Sequence, residues 1–118
     1  MANEILTKNY LAGAAISARR IVKFDTTDGV VLQAAAAADL SIGICGEVGP
    51  ASGERVDIIQ CGIAELEFGG TVARGAMVTA DASGKGVAAA STNRTIGLAL
   101  VSAVSGDIAP VLIAPSVM

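Results

Sequence analysis

The second half of this chain restates the first at a spacing of roughly 55 residues, and a repeat of that period makes each half one supersecondary unit with a common backbone path. Ala18-Arg19-Arg20-Ile21-Val22-Lys23-Phe24-Asp25 answers to Ala73-Arg74-Gly75-Ala76-Met77-Val78-Thr79-Ala80-Asp81, and Gly29-Val30 to Gly86-Val87. Ile42-Gly43-Ile44 answers to Ile96-Gly97-Leu98, and Ser52-Gly53-Glu54 to Ser105-Gly106-Asp107. Each half ends on an apolar run, Val56 to Ile59 and Val111 to Ile113. What recurs is glycines, turn-forming acids and small apolar residues, which specify a path for the backbone. None of the recurring positions forms a catalytic constellation.

A chain of 118 residues fits one domain, which at that size buries about two thirds of the surface its unfolded chain exposes. Apolar residues are 53% of the chain and aromatics 3%, so the interior has to be built from Val, Ile, Leu and Ala. Short apolar segments divided by Gly, Ser and Asp predict an all-β barrel or sandwich. Arg20 to Phe24 and Val30 to Ala34 flank Asp25-Thr26-Thr27-Asp28-Gly29, a hairpin turn, and Met77 to Ala80 and Val87 to Ala90 flank its second copy. The run Ala34 to Ala38 favours helix by propensity but is too short to hold more than one turn. Ser41 to Val48, interrupted by Gly43 and Gly46, reads as a bulged strand of the kind used at barrel corners. Arg55 to Gln60 and Ile63 to Phe68 read as one long strand bent at Cys61-Gly62, with Ala64, Leu66 and Phe68 facing the core and Glu65 and Glu67 facing water. Thr95 to Val104 reads as a strand apolar on both faces, which needs cover on both and points to a second copy of the chain. Pro110 predicts an edge or bulge position in the last strand.

Several function classes are hard to build from these residues. Up to Phe24 the chain carries Lys8, Arg19, Arg20 and Lys23 against Glu4, a balance of +3, and from Asp25 onward four basic residues face ten acids, a balance of −6. An acidic body disfavours a nucleic-acid partner. The longest uncharged stretch, Thr95 to Gly106, is well short of the roughly 20 apolar residues a membrane-spanning helix needs, and no signal-like apolar run opens the chain. A soluble protein assembled in the cytoplasm, with no membrane partner, is expected. There is no His, and Cys45 and Cys61 lack metal-ligand spacing, so no metal is expected and both thiols are expected reduced and buried. Gly84-Lys85-Gly86 fails as a phosphate loop, because Thr79 stands where its first glycine is needed and Gly86 where its Ser or Thr is needed. A hairpin-tip lysine in a duplicated β domain is similar to the carriers of lipoyl or biotinyl groups, but Lys85 lacks their Asp-Lys or Met-Lys context. Glu65 and Glu67, with no partner of shifted pKa in view, read as solubility residues rather than an acid and base pair. No catalytic residue, cofactor or metal site is assigned, and an enzyme is not expected.

In its order of parts, the length from Gly13 to the C-terminus resembles the small capsid cement, or head decoration, proteins of tailed bacteriophages. The parts are Ile42-Gly43-Ile44, Gly53-Glu54-Arg55-Val56-Asp57-Ile58, Gly62-Ile63-Ala64-Glu65, Gly75-Ala76-Met77-Val78, Ile96-Gly97-Leu98-Ala99, and Ser105-Gly106-Asp107 running to Val111. The resemblance implies a compact β-barrel or β-tulip-like domain, commonly trimeric. It further implies binding to the outside of the capsid at junctions between capsomers of the major capsid protein, with no catalytic residues. The expected organisation is an extended N-terminal arm over residues 1–12 and a single barrel over residues 13–118. Ile5, Leu6, Tyr10, Leu11, Arg19 and Arg20 are the expected capsid contacts, and Leu98, Ala99, Leu100 and Val101 the expected homotrimer interface. Another virion part, a tail or fibre component, is the alternative, with a lysine-modified carrier domain behind it.

Overall fold

The structure, a computed structural model, describes residues 4–37, 39, 41–46, 49–90 and 93–117, and of residues 4–6 and 115–117 the backbone alone. Within them run nine strands and no helix: β1 (Glu4–Ala12), β2 (Ile21–Phe24), β3 (Val30–Gln33), β4 (Ser41–Cys45), β5 (Arg55–Glu67), β6 (Met77–Ala80), β7 (Gly86–Ala88), β8 (Arg94–Ala99) and β9 (Ile108–Val117). They form one sheet in the order β1-β3-β2-β4-β5-β9-β8-β6-β7, and β1 pairs with β5 as well. That extra pairing closes β1, β3, β2, β4 and β5 into a five-stranded barrel, so the all-β barrel predicted from the sequence is present. Past β5 the sheet continues, and a parallel bridge between Phe68 and Gly86 brings its last strand back to the end of β5. The second half is thus a second ring, closed by that bridge, and β5 serves both rings.

The repeat in the sequence is a repeat of hydrogen bonds. In the first ring β1 runs parallel to β3 with Leu11 beside Val30, and in the second ring Phe68 runs parallel to Gly86. The amide of Ala12 donates to Glu54 O and that of Gly53 to Ala12 O; the amide of Phe68 donates to Asp107 O and that of Gly106 to Phe68 O. Arg19 N donates to Cys45 O and Cys45 N to Arg20 O, just as Gly75 N donates to Ala99 O and Ala99 N to Ala76 O. The turn acids match too, Glu54 accepting from Ala51 N at 2.8 Å and Asp107 from Val104 N at 3.0 Å. Gly43 sits opposite Val22 and Gly97 opposite Val78. A Cβ at either glycine would run into the facing strand, at Ile59 O for Gly43 and at Leu112 O for Gly97, which is why both halves keep the Ile-Gly pattern.

Two apolar clusters follow. One fills the barrel with Tyr10, Ala12, Ile16, Val22, Val31, Ile42, Cys45, Val56 and Ile58. The other fills the second ring, around Leu66, Phe68, Val78, Ile96, Ala99 and Val111, and takes in Ile21, Ile44 and Ile59 from the barrel's outer side. Every residue of β4 is therefore buried. The strand covered on both faces is β4, and the second cover comes from the chain's own second ring.

Several expectations change at this level. Residues 1–12 are extended where described, but Glu4–Ala12 is not a free arm: β1 lies antiparallel to β5 over seven register pairs, from Glu4 beside Gly62 to Leu11 beside Arg55. The weakly periodic segment, which carries Lys8 against Glu4, finds its partner within the chain because β5 offers it the edge from Arg55 to Gly62. Cys61-Gly62 lies inside one continuous strand, with Gly62 at φ 94°, as expected of a bend. The stretch from Thr95 is shorter than expected, since β8 ends at Ala99 and a register shift between Thr95 and Gly97 turns both Ile96 and Ala99 inward. Pro110 lies in a central strand rather than at an edge. Its carbonyl accepts the Leu100 amide at 3.2 Å, so its nitrogen points to the β8 side just where that strand has ended and no bond is lost. Ala34–Ala37 forms no helix, and Ala38 and Val48 lie outside the described residues.

The alanine-rich loop is held by a carboxylate instead. Asp39 accepts from Ala35 N at 2.7 Å and Ala36 N at 3.0 Å, and Lys23 Nζ stands 3.4 Å away. Partial burial alone would raise the Asp39 pKa, but the two amides and the lysine outweigh it and hold the carboxyl below its ordinary 3.8. A depressed folded-state pKa contributes stability that is present above the unfolded value and is lost as pH falls through the folded one. Stability is therefore expected to drop below about pH 4 more steeply in the parent than in Asp39→Asn. Urea midpoints measured across that range check it; parallel profiles for the two proteins would refute it.

Candidate interaction surface

Four of the five large apolar side chains exposed among the described residues, Val101, Val104, Ile108 and Leu112, fall on the connection from β8 to β9 and on β9 itself. The fifth is Phe24. Register extends this surface across the sheet. Leu112 lies opposite Ile63 on β5 and opposite Leu98 on β8, and Leu98 lies opposite Met77 on β6. Directly paired residues share a face, so Met77, Leu98, Leu112 and Ile63 form an apolar row across four strands. Leu112 is 40% exposed and the other three are half-buried. The adjoining pairs, Ala64 with Val111 and Val111 with Ala99, point into the core.

The residues singled out in the sequence divide around this row. Leu98 lies in it, Leu100 is half-buried beside it and Val101 is exposed, whereas Ala99 is 1% exposed and belongs to the core. Of the expected capsid contacts, Tyr10 fills the barrel interior, with Lys8 Nζ 5.6 Å from its ring centre, and Leu11 is half-buried between Val30 and Arg55. The side chains of Ile5 and Leu6 lie outside the described residues. Missed from the sequence were Met77, Leu112 and Ile63 as parts of one surface. The signal was the repeat itself, which makes Met77 the counterpart of Ile21, Leu98 of Ile44 and Leu112 of Ile59.

Arg19 and Arg20 face inward on the molecule's own acids. Arg19 Nη1 stands 2.8 Å from Glu65 Oε1 and Arg20 Nε 3.2 Å from Glu67 Oε1, while Arg20 Nη1 and Gln33 Nε2 both donate to Ser83 O at 2.8 Å. Lys85 Nζ completes the group 3.4 Å from Glu67 Oε2. The two glutamates expected to face water are therefore half-buried ion-pair acceptors that tie the strand entering β2 to β5 and to the β6–β7 turn. Arg19 holds φ 59°, the left-handed position that Gly75 fills at φ 88° in the second half. That conformation costs a non-glycine residue about 1 kcal/mol or more, and the bonds made by its amide, its carbonyl and its guanidinium offset it. Lys85 is fixed by this network and by Asp81, whose Oδ1 accepts the Ser83 and Lys85 amides at 2.8 and 3.0 Å.

The thiols differ. Cys45 is buried in the barrel, which pushes its pKa up to about 11, so it stays protonated at neutral pH. Cys61 is half-buried rather than buried, and the two are not joined in a disulfide. Among the described residues no group of His, Cys, Asp and Glu could hold a metal ion, and no helix is long and apolar enough to cross a membrane.

The fold is a double β ring with an apolar outer row, in which Arg19, Arg20, Lys23 and Lys85 are held in ion pairs with Glu65, Glu67 and Asp39. The comparisons supply the class, a structural protein of the phage virion: residues 2–113 match the family model described as phage cement protein, and the chain belongs to that family. In fold it is similar to the crystal structure of the N base of the head fibre protein gp8.5 of bacteriophage phi29, with a TM-score of 0.71 at 17% identity over 96% of this chain and 97% of that one. No curated protein matches the sequence.

Proposed function

We propose that this protein decorates the head of a tailed phage from the outside, binding at junctions between capsomers of the major capsid protein and stabilising the shell without enzymatic action. The family match along 2–113 carries the reading. The apolar outer surface supports it, because a part that works by burying surface needs one to bury. Binding to the closed shell and not to its separated subunits raises the free energy of opening it, by mass action over many copies. The copies act as homotrimers, with Leu98, Leu100 and Val101 on the side where they meet. The protein assembles in the host cytoplasm and resides on the virion.

A second reading has its own observation. The similar phi29 structure is the base of a head fibre, and a fibre base would also sit on the head. Cryo-electron microscopy of undecorated heads mixed with purified protein separates the two. Density at the capsomer junctions throughout the shell, with a higher temperature for shell opening, is the expected result. Density confined to one sparse class of positions would favour the fibre base, and bare heads at saturating protein would overturn both.

A further inference from the structure

We infer that Asp28-Gly29 is a site of spontaneous covalent modification, at which the Gly29 amide closes on the Asp28 side chain and the turn reopens as isoaspartate, loosening the seam that shuts the barrel.

The six aspartates of the chain are not alike. Asp25, Asp39, Asp81 and Asp107 each accept a hydrogen bond from an amide of their own turn or loop, and Asp57 accepts one from Asn9 Nδ2. The Asp28 carboxylate has no hydrogen-bond or ion-pair partner among the described residues, and it is exposed at the tip of the β2–β3 turn. The residue that follows completes the difference. Thr26, Leu40, Ile58, Ala82 and Ile108 follow the other five and bring a side chain that shields the amide, whereas Asp28 precedes a glycine. The turn needs glycine there, because Gly29 holds φ 78° in the left-handed region. No atom lies within 4 Å of where a Cβ would stand, and the Gly29 N–H donates to no acceptor among the described residues. An unengaged carboxyl and an unshielded, unengaged amide therefore stand side by side in water.

The reaction needs nothing but water. The Gly29 nitrogen attacks Cγ of the protonated Asp28 carboxyl: an N–Cγ bond forms, a Cγ–O bond breaks, and the oxygen leaves as water with the carboxyl and amide protons. The product is a cyclic succinimide. Water then adds to either of its carbonyl carbons. Addition at Cγ restores aspartate, whereas addition at the Asp28 main-chain carbonyl carbon breaks its bond to Gly29 N, and the main chain thereafter runs through Cβ and Cγ. The water lost is regained, so mass is unchanged while the backbone is longer by a carbon atom. That carbon enters at the seam. Gly29 O accepts the Leu11 amide at 3.0 Å, and the Val30 amide donates to Thr27 O at 3.2 Å across the turn. Leu11 beside Val30 and Ala12 beside Val31 are the register positions at which β1 meets β3 and the barrel closes. Turn length sets hairpin register, so a lengthened turn shifts Gly29 and Val30 against Leu11.

The test uses the full-length protein, kept folded at neutral pH and gently warmed over a time course. An isoaspartyl methyltransferase with labelled S-adenosylmethionine marks the product, and peptide mapping by mass spectrometry locates it. Label should accumulate at Asp28 ahead of the other five aspartates, and at close to the rate in a synthetic peptide spanning Thr26 to Val30. It should be lost in Asp28→Glu, whose longer side chain would have to close a larger ring, and a circular dichroism melt reports that this variant folds; Asp28→Ser gives the reading in its place if it does not. The modified fraction, separated chromatographically, should melt about 4–8 °C below the unmodified protein, the shift expected for losing roughly one hydrogen bond's contribution in a domain near this size. An Asp28 that stays unlabelled in the folded protein while the peptide is labelled overturns the site, as does label spread evenly over the aspartates. Label at Asp28 with an unchanged melt overturns the link to the barrel seam.

Discussion

Removing residues 2–11 is expected to abolish cooperative folding rather than to release a passive leader from an intact barrel. The segment supplies β1, which pairs with β5 in seven register positions and with β3 in two, and it carries Tyr10, 7% exposed at the centre of the barrel cluster. Loss of a buried aromatic side chain alone costs about 3–5 kcal/mol, against a total stability of about 5–15 kcal/mol for a domain. The deletion also strips β3 and β5 of their neighbour, leaving two unpaired strand edges that invite aggregation. Circular dichroism and differential scanning calorimetry check this directly. A sharp, reversible transition in the truncated protein would show that β1 is dispensable to the barrel and would return the segment to the part of an arm.

Phe68→Ala is expected to lower the stability of the full chain by about 3–5 kcal/mol and its Tm by roughly 10–20 °C. Phe68 is the largest fully buried side chain, and its backbone binds both Asp107 O and Gly106 N at 2.8 Å while bridging to Gly86. It therefore fills the second ring and stands at the point where that ring closes. The two rings trade volume at this level: Tyr10 and Ala12 occupy in the first the places of Leu66 and Phe68 in the second, so each ring has one aromatic, two residues apart in register. Chemical denaturation with an unchanged slope and a lower midpoint is the expected signature; a shift under 1 kcal/mol would mean that the ring closes without its plug.

The sequence alone determined the all-β class, the two hairpin turns, the bend at Gly62 and the equivalence of the two halves. These are local facts: Asp25 and Asp81 bind their own turns, Gly43 and Gly97 leave room for a facing carbonyl, and alternation in Ala64, Leu66 and Phe68 sets a buried face. It also carried enough ordered motifs to indicate the cement family. What it could not decide was which partner each strand meets, because pairing depends on residues far apart in the chain. Glu4–Ala12 shows no period of its own and becomes a strand only because β5 is there to pair with it. Arg19 and Arg20 looked like a basic surface, and only the fold brings Glu65, Glu67 and Lys85 beside them. Alternation along the strand would set Ile96 and Leu98 on one face against Ala99, yet a single register shift in β8 turns Ile96 into the core with Ala99 and leaves Leu98 on the outer row. Period and propensity act over a few residues, whereas the division between core and contact surface is made by packing across the whole sheet.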